Sequence, residues 1–312
     1  MIHPMPHVTW AIAGGKGGVG KSVVTVSLAY WLGRLKKRVV IMDGDLGGPN
    51  LHTMLGIRIP ERTLDDFILR KSPTLDHLLL KTTIPNVRLL AGGSDVPALA
   101  NPNFGQKKRI LRAMGAMDTD VLMVDLGAGT SLNTLDFFLA CPDKVVVLTP
   151  QPTSIQNAYG FIKSAFFRAI SRTLRDTSLR TMLDTTTLAS DAGNGPQSVH
   201  EILEEVAICE PESLPAVREA IGSLKMSLIV NMVRHPRDAK VGDAVKHVAQ
   251  NFLGLDIDVM GIVPYDPSLE RWAAMMERNS LGKHAGNGEA LKAIYGIAYK
   301  MVGRQEPERK AS

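Results

Sequence analysis

Residues 14–22 read Gly-Gly-Lys-Gly-Gly-Val-Gly-Lys-Ser. From Gly15 through Gly20, Lys21 and Ser22 the stretch satisfies the spacing G-x-x-x-x-G-K-[ST], with a second lysine, Lys16, inside its glycine-rich part. Immediately before it, Val8-Thr9-Trp10-Ala11-Ile12-Ala13 is an apolar run of buried-strand type. After it, Val24, Leu28, Trp31, Leu32 and Leu35 recur at helical spacing. Strand, glycine loop and helix start form a phosphate cradle: the glycines admit the backbone close to an anion, and successive N–H groups and the positive helix end then hold it. The expected contacts are Gly15, Lys16, Gly17, Gly18, Val19, Gly20, Lys21, Ser22 and Val23. Lys21 neutralises charge on the outer phosphates, and the Ser22 hydroxyl is a ligand for Mg²⁺.

Outward from this loop, two more apolar runs end in acids. Val39-Val40-Ile41-Met42 leads into Asp43-Gly44-Asp45, and Leu46-Gly47-Gly48-Pro49-Asn50 after it must be a loop. Val121-Leu122-Met123-Val124 leads into Asp125-Leu126-Gly127-Ala128-Gly129-Thr130, the form of a Walker B strand. Acids at the carboxyl ends of central strands lie where ligands bind in doubly wound sheets. We assign Asp45 to orienting the attacking water, and Asp43, Asp125 and Ser22 to the metal side.

Further runs at Val87–Leu90, Val145–Leu148, Ser227–Val230 and Val259–Val263 alternate with helix-like stretches. The alternation predicts an α/β fold with a doubly wound, mainly parallel sheet covered by helices on both faces. Asn231, Pro264 and Tyr265 then fall just past carboxyl strand ends, where a nucleoside base could meet them; a loop amide and a turn proline are the plain alternatives.

The chain has 312 residues and 45% apolar content, ample for a large core, and is expected to form one domain over 1–312. No apolar run reaches the length of a membrane span, and the residues before the first strand are too few for a secretory signal, so a cytoplasmic protein is expected. Cys141 and Cys209 form no C-x-x-C pair, which argues against a disulfide scaffold or a zinc site. The net charge of +5 is compatible with nonspecific affinity for nucleic acid or anionic lipid, though no recognised nucleic-acid motif accompanies it. Lys36-Lys37-Arg38 reads as a solvated turn between helix and strand.

Lys16 to Ser22, Asp43-Gly44-Asp45, Asp125 to Gly129 and Pro152-Thr153-Ser154-Ile155, in that order, resemble the MinD/ParA family of deviant-Walker ATPases. Within it the chain looks most like the FlhG (YlxH) and MinD branch: Asp43 to Asn50 matches an Asp-x-Asp-Leu/Ile-Gly-x-x-Asn loop, Met54-Leu55-Gly56 follows, and Pro150 to Tyr159 matches a Pro-x-Pro-Thr-Ser-Ile segment with a later Ala-Tyr. The resemblance covers roughly residues 7–168 and 226–303. It implies a P-loop NTPase fold, ATP and Mg²⁺, and slow hydrolysis in a homodimer with ATP held between two subunits. A lysine matching Lys16 reaches the partner subunit's phosphates, and one matching Lys21 serves its own. The residue matching Asp45 activates water, and those matching Ser22 and Asp125 serve the metal.

Three features depart from that pattern. Residues 289–302 carry apolar residues around most of a helix, which reads as a last core helix rather than a membrane anchor, ahead of a polar tail at 303–312. Residues 1–7 lack the family's N-terminal Asp-Gln-Ala segment. Residues 171–224 exceed what the family core needs and predict a helical insertion with a polar break at 190–196; it is either a partner-docking element or a surface elaboration with its own apolar seam. The expected function is an ATP-driven switch that positions a cellular structure such as a flagellum, a division site or a polar complex. An unidentified protein is its activator or cargo, and a pole, a membrane surface or the nucleoid its place of recruitment. A ParA-like DNA-partitioning ATPase is the alternative. A metal-cluster carrier or reductase is a weaker third, because such proteins need paired cysteines.

Overall fold

The computed structural model describes residues 8–93, 101–188, 198–275 and 288–303. The predicted break at 190–196 and the tail from 304 onward lie outside them.

The glycine loop is flanked as its sequence requires, by β1 (Val8–Ala13) and α1 (Lys21–Arg34). The acid-ending runs form β2 (Val39–Gly44) and β5 (Val121–Leu126). Between them lie the short helices α2 (Leu51–Met54) and α3 (Leu64–Ile68), strands β3 (Leu80–Lys81) and β4 (Val87–Leu90), and α4 (Phe104–Gly115). Then come α5 (Leu132–Ala140), β6 (Asp143–Leu148) and the long α6 (Pro152–Ser171). The eight-stranded sheet runs β3-β4-β2-β5-β1-β6-β7-β8, with β7 (Met226–Val233) and β8 (Ile257–Pro264) at one edge. Every pairing is parallel except β3 with β4. β3 is two residues long and carries no apolar run, so the sequence held no signal for it.

Both faces of the sheet are buried, which is why its strands read as continuous apolar runs. Ala11 and Ala13 of β1 join the core on one face, while Trp10 and Ile12 join the core on the other. The first face is covered by α3 to α6 and by α7 (Thr177–Leu188), α8 (Val199–Cys209), α9 (Leu214–Ser223) and α10 (Val241–Leu253). The second is covered by α1, α2, α11 (Pro267–Met275) and α12 (Glu289–Gly303).

The 171–224 stretch is helical, but its apolar residues do not form a seam of their own. Leu179, Leu183, Ile202, Val206 and Val217 are buried in the same core as the sheet face and α6. In α12, Ala290, Leu291, Ile294, Ile297, Ala298 and Met301 are buried against the sheet and α1. It is a core helix, as its composition predicts, with Tyr295 40% and Tyr299 63% exposed on its outer side.

Candidate functional site

α1 starts at Gly20, whose φ of 79° is left-handed and whose position leaves no room for a side chain: an added Cβ would meet the Asn231 amide nitrogen at 2.4 Å. No side chain caps this helix start, so its first-turn N–H groups remain available to an anion. At the loop's other end Gly15 lies against α6, where a Cβ would fall 2.0 Å from the carbonyl oxygen of Asn157. α6 itself begins with Pro152 in its first turn, and the Ser154 hydroxyl accepts the Thr149 N–H at 2.9 Å. The Pro152 to Tyr159 segment therefore forms the floor on which the loop rests. Lys16, Gly17 and Gly18 are exposed, and nothing stands within 4 Å of a Cβ placed on Gly17 or Gly18. That opening is large enough to admit an anion beside the loop backbone.

Register across the sheet brings the acids to the same edge. Asp43 lies opposite Asp125 between β2 and β5, and Asp125 lies opposite Ile12, just before the loop. Asp125 is buried and fully engaged: Lys21 Nζ and the Thr25 hydroxyl donate to Oδ1 at 2.9 and 3.0 Å, and the Ser22 hydroxyl donates to Oδ2 at 2.6 Å. Asp45 is half-buried beside Gly127, where a Cβ would come within 3.1 Å of its carboxylate. Asp45, Gly127, Ser131 and Phe137 line a cleft of 510 Å³ between the two acid-bearing loops and α5. Gly129 N–H donates to the Gly14 carbonyl at 3.3 Å, tying the loop after β5 to the phosphate loop.

Asp43 is buried, and that burial pushes its carboxyl up to about 7, despite backbone donors that favour the charged form. Its two oxygens accept the Asp45 N–H at 3.2 Å and the Leu51 N–H at 3.0 Å. These contacts shape the loop that carries Asp45. From β7, the Asn231 amide donates to the Val19 carbonyl at 2.9 Å, bracing the loop. The Tyr265 ring carries the Arg234 guanidinium 3.5 Å above its centre, its hydroxyl donates to Glu270, and its N–H meets the Val233 carbonyl. Pro264 ends β8 next to it.

Sequence reasoning missed one contact, that of Thr25 with Asp125. Thr25 was findable, since it stands one helical turn beyond Lys21 and so faces the same way. Gly127 and Gly129 were visible as loop glycines, but their closeness to Asp45 and Gly14 is tertiary.

An open glycine cradle, a lysine and a serine at a helix start, and a Walker B acid in register beside them define a P-loop nucleotide-binding protein. The donor set fits a nucleotide phosphate chain with Mg²⁺: uncapped N–H groups and two lysines for phosphate oxygens, and Ser22 with Asp125 as oxygen donors for a hard cation. Residues 10–278 match the model of the CobQ/CobB/MinD/ParA nucleotide binding domain, and the chain belongs to that family. It is 36% identical over 303 residues to the antiactivator FleN of Pseudomonas aeruginosa, covering 96% of this chain and 87% of FleN. It is 32% identical over 160 residues to the flagellum site-determining protein YlxH of Helicobacter pylori, covering 49% of this chain and 52% of YlxH. The fold matches that of the cell division ATPase MinD of Pyrococcus furiosus with a TM-score of 0.63 at 18% identity, over 95% of this chain and 98% of that one.

Proposed function

We propose that this chain is an ATP-dependent dimerisation switch that hydrolyses ATP slowly and positions a cellular structure, a flagellum before a division site or another polar complex. The placement of the two loop lysines carries the proposal. Lys21 is held inward on Asp125, whereas Lys16 is exposed beside the open part of the cradle and makes no ion pair among the described residues. A lysine so placed serves phosphates approached from outside, those of a second copy of the chain.

Bound ATP would be held by the backbone from Gly15 to Val23 and by Lys21, with Asn231, Pro264 and Tyr265 flanking the base. Mg²⁺, held through Ser22 and Asp125, would supply charge neutralisation on the phosphate oxygens. Lys21 leaves Asp125 for the phosphates when they compete for it. Asp45 orients the attacking water, and Asp43 contributes from the metal side chiefly by shaping the loop that carries Asp45. Lys16 from the second copy offsets charge that develops on the transferred phosphoryl group.

The name of YlxH, a flagellum site-determining protein, favours flagellar placement, and the solved MinC:MinD complex of Aquifex aeolicus favours a protein partner as activator or cargo. Among the described residues no helix is long and apolar enough to cross a membrane. We place the protein in the cytoplasm, recruited to a pole, a membrane surface or the nucleoid. The test is the mass of the full chain in solution with ATP and Mg²⁺ when Asp45→Ala blocks turnover. A dimer that disappears with ADP is expected; a monomer under all conditions overturns the proposal.

The net charge of +5 keeps a ParA-like DNA-partitioning role as the second reading. ATP-dependent DNA binding that falls steeply with salt would establish it, and no binding at low salt would remove it. A cluster carrier is disfavoured: Cys141 is buried, and no group of three or more candidate metal ligands occurs among the described residues.

A further inference from the structure

Some arginines of this protein pair with carboxylates. Arg38 meets Asp118 and Asp120, and Arg168 meets Asp136 and Asp184. Arg70, Arg109 and Arg112 are gathered in one place. They line one cleft of 530 Å³ between the segment that follows α3 and the outward face of α4, and none of them forms an ion pair among the described residues. The cleft shares no residue with the phosphate site.

Its construction is specific. Arg109, Arg112, Ala113 and Ala116 recur at helical spacing on α4, so two guanidinium groups and two methyl groups face the same groove. Across it stand Arg70 and Leu75. The Arg109 guanidinium lies 4.4 Å above the centre of the Phe67 ring, which is only 4% exposed. Stacking fixes the plane of the fork and leaves its outer N–H groups free for two-point recognition of an anion. The one acid in the cleft, Asp76, accepts the Asp118 N–H at 3.3 Å.

We propose that this cleft is the docking site for an acidic, partly apolar peptide segment of a partner protein, held by carboxylates on Arg70, Arg109 and Arg112 and by apolar side chains on the floor between them. Three guanidinium groups that form no ion pair among the described residues supply the charge complementarity. The apolar floor favours peptide over nucleic acid, because the only aromatic ring in the cleft is already covered by Arg109 and offers no face to a base. α4 is the element before β5, the strand that carries Asp125.

The test is selection of a random dodecapeptide phage library on the full chain, with counter-selection on the R70E/R109E/R112E variant. The expected winners carry several Asp or Glu residues interspersed with Leu, Ile or Phe. A labelled winner should bind about tenfold more weakly to R109Q and to R112Q, both retaining wild-type melting and ATP turnover, and not measurably to the triple variant. Winners without acidic enrichment, or equal binding by the triple variant, would overturn the proposal. So would tighter, arginine-dependent binding of a short DNA duplex or of phosphatidylglycerol vesicles than of any selected peptide, since the surface would then belong to nucleic acid or membrane.

Discussion

Gly15 shows how a single missing atom makes the site. The loop can rest on α6 only because nothing projects toward the Asn157 carbonyl, and a methyl group there would sit at 2.0 Å, far inside contact distance. Gly15→Ala must push the loop off its floor. Binding of a fluorescent ATP analogue should weaken by at least tenfold, about 1.4 kcal/mol, while far-ultraviolet dichroism stays that of the wild type. Asn231 acts on the same loop from the other side through the Val19 carbonyl. Asn231→Ala should cost about 1 kcal/mol, read as a fall of a few degrees in the melting midpoint, because the buried carbonyl is left without its donor. Asp43 illustrates what only tertiary structure reveals. Its place at a strand end was plain from the sequence, but its bond to Leu51, eight residues on, depends on the path of the intervening loop. Position was legible, and the partner was not.

Among the elements, α4, α5, α6 and α7 are joined by a half-buried charge network. Asp136 of α5 receives Lys107 of α4 and Arg168 of α6, and Arg168 also grips Asp184 of α7. Burial works to raise the Asp136 carboxyl, but the bonds from Lys107 and Arg168 outweigh it and hold it below the ordinary carboxylate range. A lowered native value means that the stabilisation is complete above the unfolded carboxyl's value of about 4 and is lost as pH falls through the native one. Asp136→Asn should therefore cost on the order of 3 kcal/mol near neutrality, since it leaves two cations short of a partner. In urea titrations the gap between variant and wild type should narrow below about pH 4; a gap independent of pH would show that the network is not what stabilises these helices. None of this was legible beforehand, because its members are 29 and 16 residues or more apart in sequence. The C-terminal helix is a milder case. Its periodicity identified it as core, while the Trp31 indole N–H bond to the Leu291 carbonyl at 2.8 Å and the edge-to-face contact of Trp31 with Tyr295 emerge only when α1 and α12 meet. Trp31→Phe should loosen that junction by about 1 kcal/mol, seen as faster amide exchange in α12.

At the scale of the whole molecule, the sequence made the doubly wound sheet readable because both of its faces are buried, so that seven of eight strands appeared as apolar runs. The exception, β3, is held by its neighbour rather than by its own composition. The 171–224 region was readable as helix, but not as part of the main core. Its helices bury side chains at a spacing that fits either a private seam or the sheet face, and only the packing decides between them. The same limit applies to the site. Loop, lysines and acids are local patterns, whereas the inward hold on Lys21 and the outward exposure of Lys16 come from the register that sets Asp125 beside β1. Under the proposed function, two lysines with two addresses would make the functional unit a pair of chains.

Complementation between two inactive variants tests that claim most directly. Lys16→Ala and Asp45→Ala should each abolish ATP turnover alone, one by removing the lysine offered to the partner and the other by removing the water-orienting acid. Mixed in equal amounts with ATP and Mg²⁺, they should recover roughly a quarter of wild-type turnover, because random pairing makes half the dimers mixed and each mixed dimer has one complete site. No recovery from a mixture shown to form mixed dimers would place Lys16 in its own subunit's site and contradict the account.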